Sequence, residues 1–193
     1  MSDRVEDDIN RRANEKAAKR KAARERMLAT KTIEKGLLIV HTGKGKGKST
    51  AAFGLAARAI GNGMKIGIVQ FVKGKWQTGE RPVLERFSDQ IDLRVSGEGF
   101  TWETQDRARD IAAAEAGWAA AQEMIEASRG DNPRYDMLVL DELNIVLRYD
   151  YLPLGEVLDA LKHKPSRTHV VITGRNARPE LIELADLVTE MKL

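Results

Sequence analysis

The chain has 193 residues, enough for one sizeable domain and short for two, and 42% of them are hydrophobic. It holds no cysteine, which excludes disulfides, thiolate-bound zinc, iron–sulfur clusters and a cysteine nucleophile. Its histidines, His41, His163 and His169, are too far apart in sequence to suggest a histidine-built metal site. The net charge of +3 is small but uneven, because residues 1–35 carry 11 Lys/Arg against 7 Asp/Glu and leave the remainder nearly neutral.

Residues 1–35 therefore read as a basic arm ahead of an α/β domain at 36–193. Residues 5–28 are rich in Ala, Lys, Arg and Glu and lack Pro and Gly, which predicts helix. The apolar stripe is thin, Val5, Ile9 and then mostly alanine, so that helix needs a partner surface to stay ordered. No aromatics are interleaved with its basic residues, and a solvated tail, lid or subunit contact fits it better than nucleic-acid binding. The N-terminus is charged from Asp3 onward, unlike a secretory signal, and no apolar run approaches the roughly 18 residues of a membrane span. A cytoplasmic protein is expected.

From Gly36 onward short apolar runs alternate with helical patterns, the sign of a mostly parallel sheet with helices on both faces. Strands are predicted at Leu37–His41, Lys65–Val72, Ile91–Val95, Met137–Asp141, Thr168–Thr173 and Leu187–Met191, the last at an edge. Helices are predicted over Ser49–Ile60, ended by Gly61-Asn62-Gly63, and over Thr104–Arg129. In the longer one Ile111, Ala114, Trp118, Ala121 and Ile125 recur at spacings of three and four as a buried stripe. Another helix starts with Pro153 at its first position and carries Leu154, Val157, Leu158 and Leu161.

Gly43-Lys44-Gly45-Lys46-Gly47-Lys48-Ser49-Thr50 lies between the first strand and the helix that follows it. That is the setting of a phosphate-binding loop. The glycines let successive N–H groups turn inward, and the helix adds its positive N-terminal end. Lys48 supplies a charge to the phosphates, and the Ser49 hydroxyl can ligate Mg²⁺, with Mn²⁺ as a substitute. The usual loop has a glycine five positions before the glycine of its Gly-Lys-Ser/Thr end. Here Thr42 occupies the place that glycine would need, and counting from Gly43 the loop is one residue short. A shorter loop should hold a triphosphate differently from an ordinary ATPase.

Met137–Leu140 empties into Asp141 and Glu142, which places two carboxylates at the ligand edge of an open α/β sheet. One of them is expected to hold the metal, directly or through water. Thr173-Gly174-Arg175 ends the next strand in the same manner, and Arg175 reads as a phosphate contact or a surface ion pair.

Further stretches depart from a generic nucleotide-binding protein: FVKGKWQTGER at 71–81, GFTWETQ at 99–105, LDEL at 140–143, YDYLPL at 149–154 and VVITGRNARPELIELAD at 170–186. Together with TGKGKGKST they resemble the ATP:corrinoid adenosyltransferases of the CobA/CobO/BtuR type, from about residue 34 to the end. The resemblance implies a P-loop NTPase-like sheet of six mostly parallel strands and a homodimer. It implies transfer of the 5′-deoxyadenosyl group of ATP to the Co(I) centre of a corrinoid such as cobyrinic acid a,c-diamide or cobalamin. Triphosphate is released, and a reductase, flavin-based, supplies the electron.

In that family ATP lies reversed in its loop. Carried over, Gly43 to Thr50 bind the triphosphate, Ser49 and Glu142 hold Mg²⁺ with Asp141 beside them, and Phe100 and Trp102 face the corrin. Apolar side chains crowding the lower face of the corrin would displace its axial ligand, and a four-coordinate cobalt accepts an electron more readily. Trp76 and Lys73 are expected near the site without an assigned task. Relatives carry Asn where this chain has Lys44, and they continue past the position of Leu193, so a C-terminal contribution to the site or dimer is expected to be missing here. The competing readings are a P-loop ATPase or small-molecule kinase that makes ADP, and a nucleotide sensor with the arm as its effector. Neither accounts for the FTW segment or the short loop. Thymidine-kinase-like enzymes of this size, moreover, carry a cysteine-bound zinc that this chain cannot build.

Overall fold

The computed structural model describes residues 2–72, 79–96 and 106–193. Residues 1–34 and 35–193 are separate compact units. The first is one long helix, α1 (Ser2–Ala29), laced by ion pairs of Asp8 with Arg11 and Arg12 and of Lys21 with Glu25. Almost every described side chain on it is exposed, so helix propensity and surface pairs hold it rather than burial.

The second unit is a six-stranded sheet formed by β1 (Leu38–Thr42), β2 (Ile66–Gln70), β3 (Ile91–Val95), β4 (Met137–Asp141), β5 (His169–Thr173) and β6 (Leu187–Glu190). The spatial order is β3-β2-β4-β5-β1-β6, and all five pairings are parallel. Alternate residues of each strand serve opposite layers. Ile39, Ile68, Val139 and Val171 pack with Ala52, Phe53, Ala56 and Ala59 of α2 (Lys48–Gly61). Val40, Val69, Leu140 and Ile172 pack on the other face, against Trp118, Ala121 and Met124 of α4 (Arg107–Glu126). The short helices α5 (Leu143–Arg148), α6 (Leu154–Lys162) and α7 (Pro179–Leu184) complete that layer. Burial on both faces explains why the central strands read as unbroken apolar runs.

Helix α4 starts later than the periodicity suggests, because Asp106 caps it by accepting from the Arg109 N–H at 3.1 Å. Pro153 stands one place before its helix, as N-cap rather than first helical residue. The one-turn helix α3 (Arg81–Leu84), α5 and α7 have no counterpart in the sequence reading. No helix among the described residues is long and apolar enough to cross a membrane.

At the opposite edge of the sheet from the phosphate loop, the Leu37 N–H donates to Nδ1 of His169 at 3.1 Å, which requires that nitrogen to be unprotonated. Burial, and secondarily Lys164, lowers the His169 pKa below its ordinary 6.5, with Asp136 opposing. The unfolded chain therefore binds more protons in the window just below 6.5, so stability is full above it and falls on acidification. Denaturant melts should show a lower midpoint at about pH 5.5 than at about pH 7.5, and His169→Gln should flatten that difference. An unchanged slope in the variant would remove His169 as its source.

Candidate functional site

The carboxyl ends of β1, β4 and β5 bring together the phosphate loop, the Asp141-Glu142 pair and Thr173-Gly174. The loop between β1 and α2 is wrapped around its own lysine. Lys48 is 8% exposed, and its Nζ donates to the carbonyl oxygens of Gly43, at 2.9 Å, and Gly45. Burial pushes its pKa down, Arg175 and then Lys46 act the same way, and Glu142 opposes them. A buried cation beside two other cations is a site waiting for an anion.

The glycines answer two different demands. Gly43 (φ 96°) and Gly45 lie so close to the Met191–Lys192 backbone that a Cβ on either would overlap it. Gly47 (φ 100°) has open space around it and is needed only for its left-handed conformation. The Gly45 N–H donates to the Met191 carbonyl at 2.7 Å. That amide is thus engaged by the backbone that follows β6. Lys44, Lys46 and Thr50 are exposed and Ser49 is half-buried at the start of α2. Lys44 also lines a cleft of about 680 Å³ with Asn176, Ala177, Glu190 and Met191.

The two acids at the end of β4 differ sharply. Asp141 is wholly buried, with Oδ1 accepting from Thr173 Oγ1 at 2.7 Å and Oδ2 from Gln70 Nε2 at 3.1 Å. Both oxygens of Asp141 are thus engaged by protein groups, next to Glu142 at the end of β4. Glu142 is half-buried, adopts φ 66°, and lies within the electrostatic reach of Lys48. Arg175 is exposed, on the loop after β5, and also acts on Lys48.

Among the described residues no three His or carboxylate side chains cluster as a metal cage. The Glu142 carboxylate and the Ser49 hydroxyl are oxygen donors of the kind that would suit Mg²⁺ brought in with a phosphate ligand, and they are too few to form a cage for the ion by themselves. The residues present fit that use. Thr173, Gln70 and Gly174 had no role in the sequence reading, because their partners lie far away in sequence, at the end of β4 and in α5. Phe100, Trp102, Trp76 and Lys73 lie outside the described residues.

The chain matches known proteins along nearly its whole length. A family model described as ATP:corrinoid adenosyltransferase BtuR/CobO/CobP matches residues 34–193. A corrinoid adenosyltransferase of Sinorhizobium sp is 58% identical over 180 residues, 92% of this chain and 82% of that protein. One from Pseudomonas aeruginosa is 49% identical over 184 residues, 95% and 88% of the two chains. Corrinoid adenosyltransferase CobA of Salmonella typhimurium is 48% identical over 159 residues, 82% and 78%. Among solved structures, domain III of the Thermotoga maritima replication initiation protein DnaA aligns with a TM-score of 0.41 at 11% identity, covering 86% of this chain and 58% of that one. That likeness carries no argument.

Proposed function

The chain belongs to the ATP:corrinoid adenosyltransferase family, and from that premise we propose how its residues divide the work of moving the 5′-deoxyadenosyl group of ATP onto corrinoid cobalt. Co(I) supplies both electrons of the new cobalt–C5′ bond. The C5′–O bond breaks, and its electron pair leaves with triphosphate. The attacking atom belongs to the substrate, so no protein nucleophile or base takes part. The protein has to aim C5′ at the cobalt and stabilise the departing polyanion.

The observation that carries this reading is the Lys48 ammonium, buried at the centre of a loop one residue short and flanked by Arg175 and Lys46. It is a cationic socket for the tail of ATP. Ser49 and Glu142 would hold Mg²⁺, which supplies charge neutralisation to the leaving triphosphate. Asp141 serves from behind them. Gly43, Gly47 and Thr50 shape and line the loop, and Lys44, Lys46 and Arg175 add positive charge around it.

Phe100 and Trp102, outside the described residues, are assigned to the lower face of the corrin. Trp102→Ala should slow assays started from Co(II) by about tenfold more than assays supplied with Co(I), a barrier difference of roughly 1.4 kcal/mol. Equal losses would overturn that role. A homodimer, a flavin-based reductase and a cytoplasmic setting belong to the same proposal.

The deciding experiment identifies products. With ATP, Mg²⁺ and reduced corrinoid, adenosylated corrinoid and triphosphate should appear in equal amounts. ADP and phosphate formed without corrinoid would overturn the reading in favour of an ATPase or kinase.

A further inference from the structure

Behind Glu142 lies a set of polar groups that the proposed chemistry does not use. Thr173, the last residue of β5, is wholly buried. Its hydroxyl donates to Asp141 Oδ1 at 2.7 Å and accepts from the Glu142 N–H at 2.9 Å. A hydroxyl has one proton. With that proton committed to Asp141, its lone pairs must face Glu142, so the bond to Glu142 has a fixed direction. Gln70 in turn holds the other oxygen of Asp141 at 3.1 Å, which keeps the anchor from rotating.

The next residue closes the other side. Gly174 has φ 128°, and a Cβ on it would stand 2.8 Å from Asn144 Cβ and 3.2 Å from Glu142 Oε2. The Glu142 carboxylate therefore lies beside the space that a Cβ on Gly174 would fill. Asn144 is wholly buried, and its Nδ2 donates to the Gly174 carbonyl at 3.0 Å, pinning that backbone in place. Glu142 itself sits at φ 66° and ψ 17°, a left-handed conformation that costs a non-glycine residue about 1 kcal/mol or more and persists only where its surroundings enforce it.

We propose that Thr173 is a positioning residue: its hydroxyl, aimed by Asp141, enforces the left-handed turn at Glu142 and, with Gly174 and Asn144, sets where the Glu142 carboxylate meets the metal–triphosphate unit. This rests on the reading of Glu142 as a metal ligand. It gives Asp141 a role behind the ligand and explains why a carboxylate one residue from the site has both oxygens engaged by protein.

The test uses the full chain with ATP and Mn²⁺ as the probe ion, followed by electron paramagnetic resonance. ATP affinity without divalent cation and the unfolding midpoint are measured alongside. Thr173→Val keeps the side-chain shape and removes both hydrogen bonds. It should weaken Mn²⁺ binding in the ATP complex by about tenfold, as loss of a supporting group around a metal ligand typically does. Metal-free ATP affinity should be unchanged, and Thr173→Ser should recover most of the loss. Gly174→Ala, whose Cβ would meet Asn144 Cβ at 2.8 Å and Glu142 Oε2 at 3.2 Å, should give the same signature, and Thr173→Ala, which removes both bonds and adds no atom, keeps the test decisive if Thr173→Val does not fold. Glu142→Gln is the reference. If it leaves Mn²⁺ binding intact, the metal reading of Glu142 falls and this inference with it. If Glu142→Gln weakens binding but Thr173→Val and Gly174→Ala do not, only the positioning role falls. Equal loss of ATP affinity with and without the cation would mark a purely structural residue and overturn it as well.

Discussion

Lys48→Met should lower turnover by at least about a hundredfold, the scale on which enzymes lose rate when one group stabilising a developing charge is removed. Methionine fills a similar volume, so the loop keeps its packing while losing the ammonium that bridges the Gly43 and Gly45 carbonyls. The charge matters more here than it would on a surface. Lys48 is 8% exposed, and Arg175 and Lys46 already disfavour its protonated form. A polyphosphate tail relieves that repulsion on arrival, and as the C5′–O bond breaks the added negative charge meets a fixed cation that needs no reorganisation. ATP affinity and kcat should therefore both fall. Lys48→Arg should restore little, because a planar guanidinium cannot sit between two carbonyl oxygens as a compact ammonium does. Steady-state kinetics with the unfolding midpoint as control checks this. A variant that folds normally and keeps a tenth or more of wild-type turnover would remove Lys48 from the chemistry.

Much of this arrangement was legible in the sequence, for reasons that are local. The strand Met137–Asp141 is an apolar run ended by acids and is found at those bounds. The phosphate loop is marked by glycines between a strand and a helix, and both neighbours form as expected. What stayed hidden depends on contacts distant in sequence. Thr173 looks like an ordinary β-former until β4 is laid beside β5, and only then does its hydroxyl meet Asp141 and Glu142. Gln70 reads as a lone polar residue inside the predicted strand Lys65–Val72, yet its register places it opposite Asp141. The left-handed turn at Glu142 breaks local preference, and such breaks cluster at functional sites, where the surrounding structure overrides them. Helices α3, α5 and α7, of four, six and six residues, are too short to show a period. The resemblance supplied the corrinoid; composition and spacing by themselves reach only a nucleotide and a metal.

Gly45→Ala should damage ATP binding far more than Gly47→Ala, although the two glycines look interchangeable in the repeat Gly-Lys-Gly-Lys-Gly-Lys. A Cβ on Gly45 would fall against the Lys192 carbonyl oxygen and within 2.8 Å of the Lys192 and Met191 carbonyl carbons. Every one of these atoms is backbone, so no rotamer change relieves the overlap. Two responses are open, and each breaks something identified. If the loop yields, the Gly45 carbonyl leaves Lys48 and the socket opens. If the strand yields, the bonds from Gly45 N–H to Met191 O, at 2.7 Å, and from Met191 N–H to Thr42 O, at 2.8 Å, are lost, and β6 detaches at its end. Overpacking of this kind costs about 1–3 kcal/mol. Gly47→Ala meets open space, and its cost is the left-handed conformation alone, roughly 1–2 kcal/mol. Unfolding midpoints could thus come close together, but amide exchange separates the mechanisms. Gly45→Ala should speed exchange at Met191 and reduce ATP affinity together, whereas Gly47→Ala should leave the Met191 amide protected. Protection of Met191 in both variants would mean that the C-terminal strand does not brace the loop, and the account of why Gly45 is a glycine would fail.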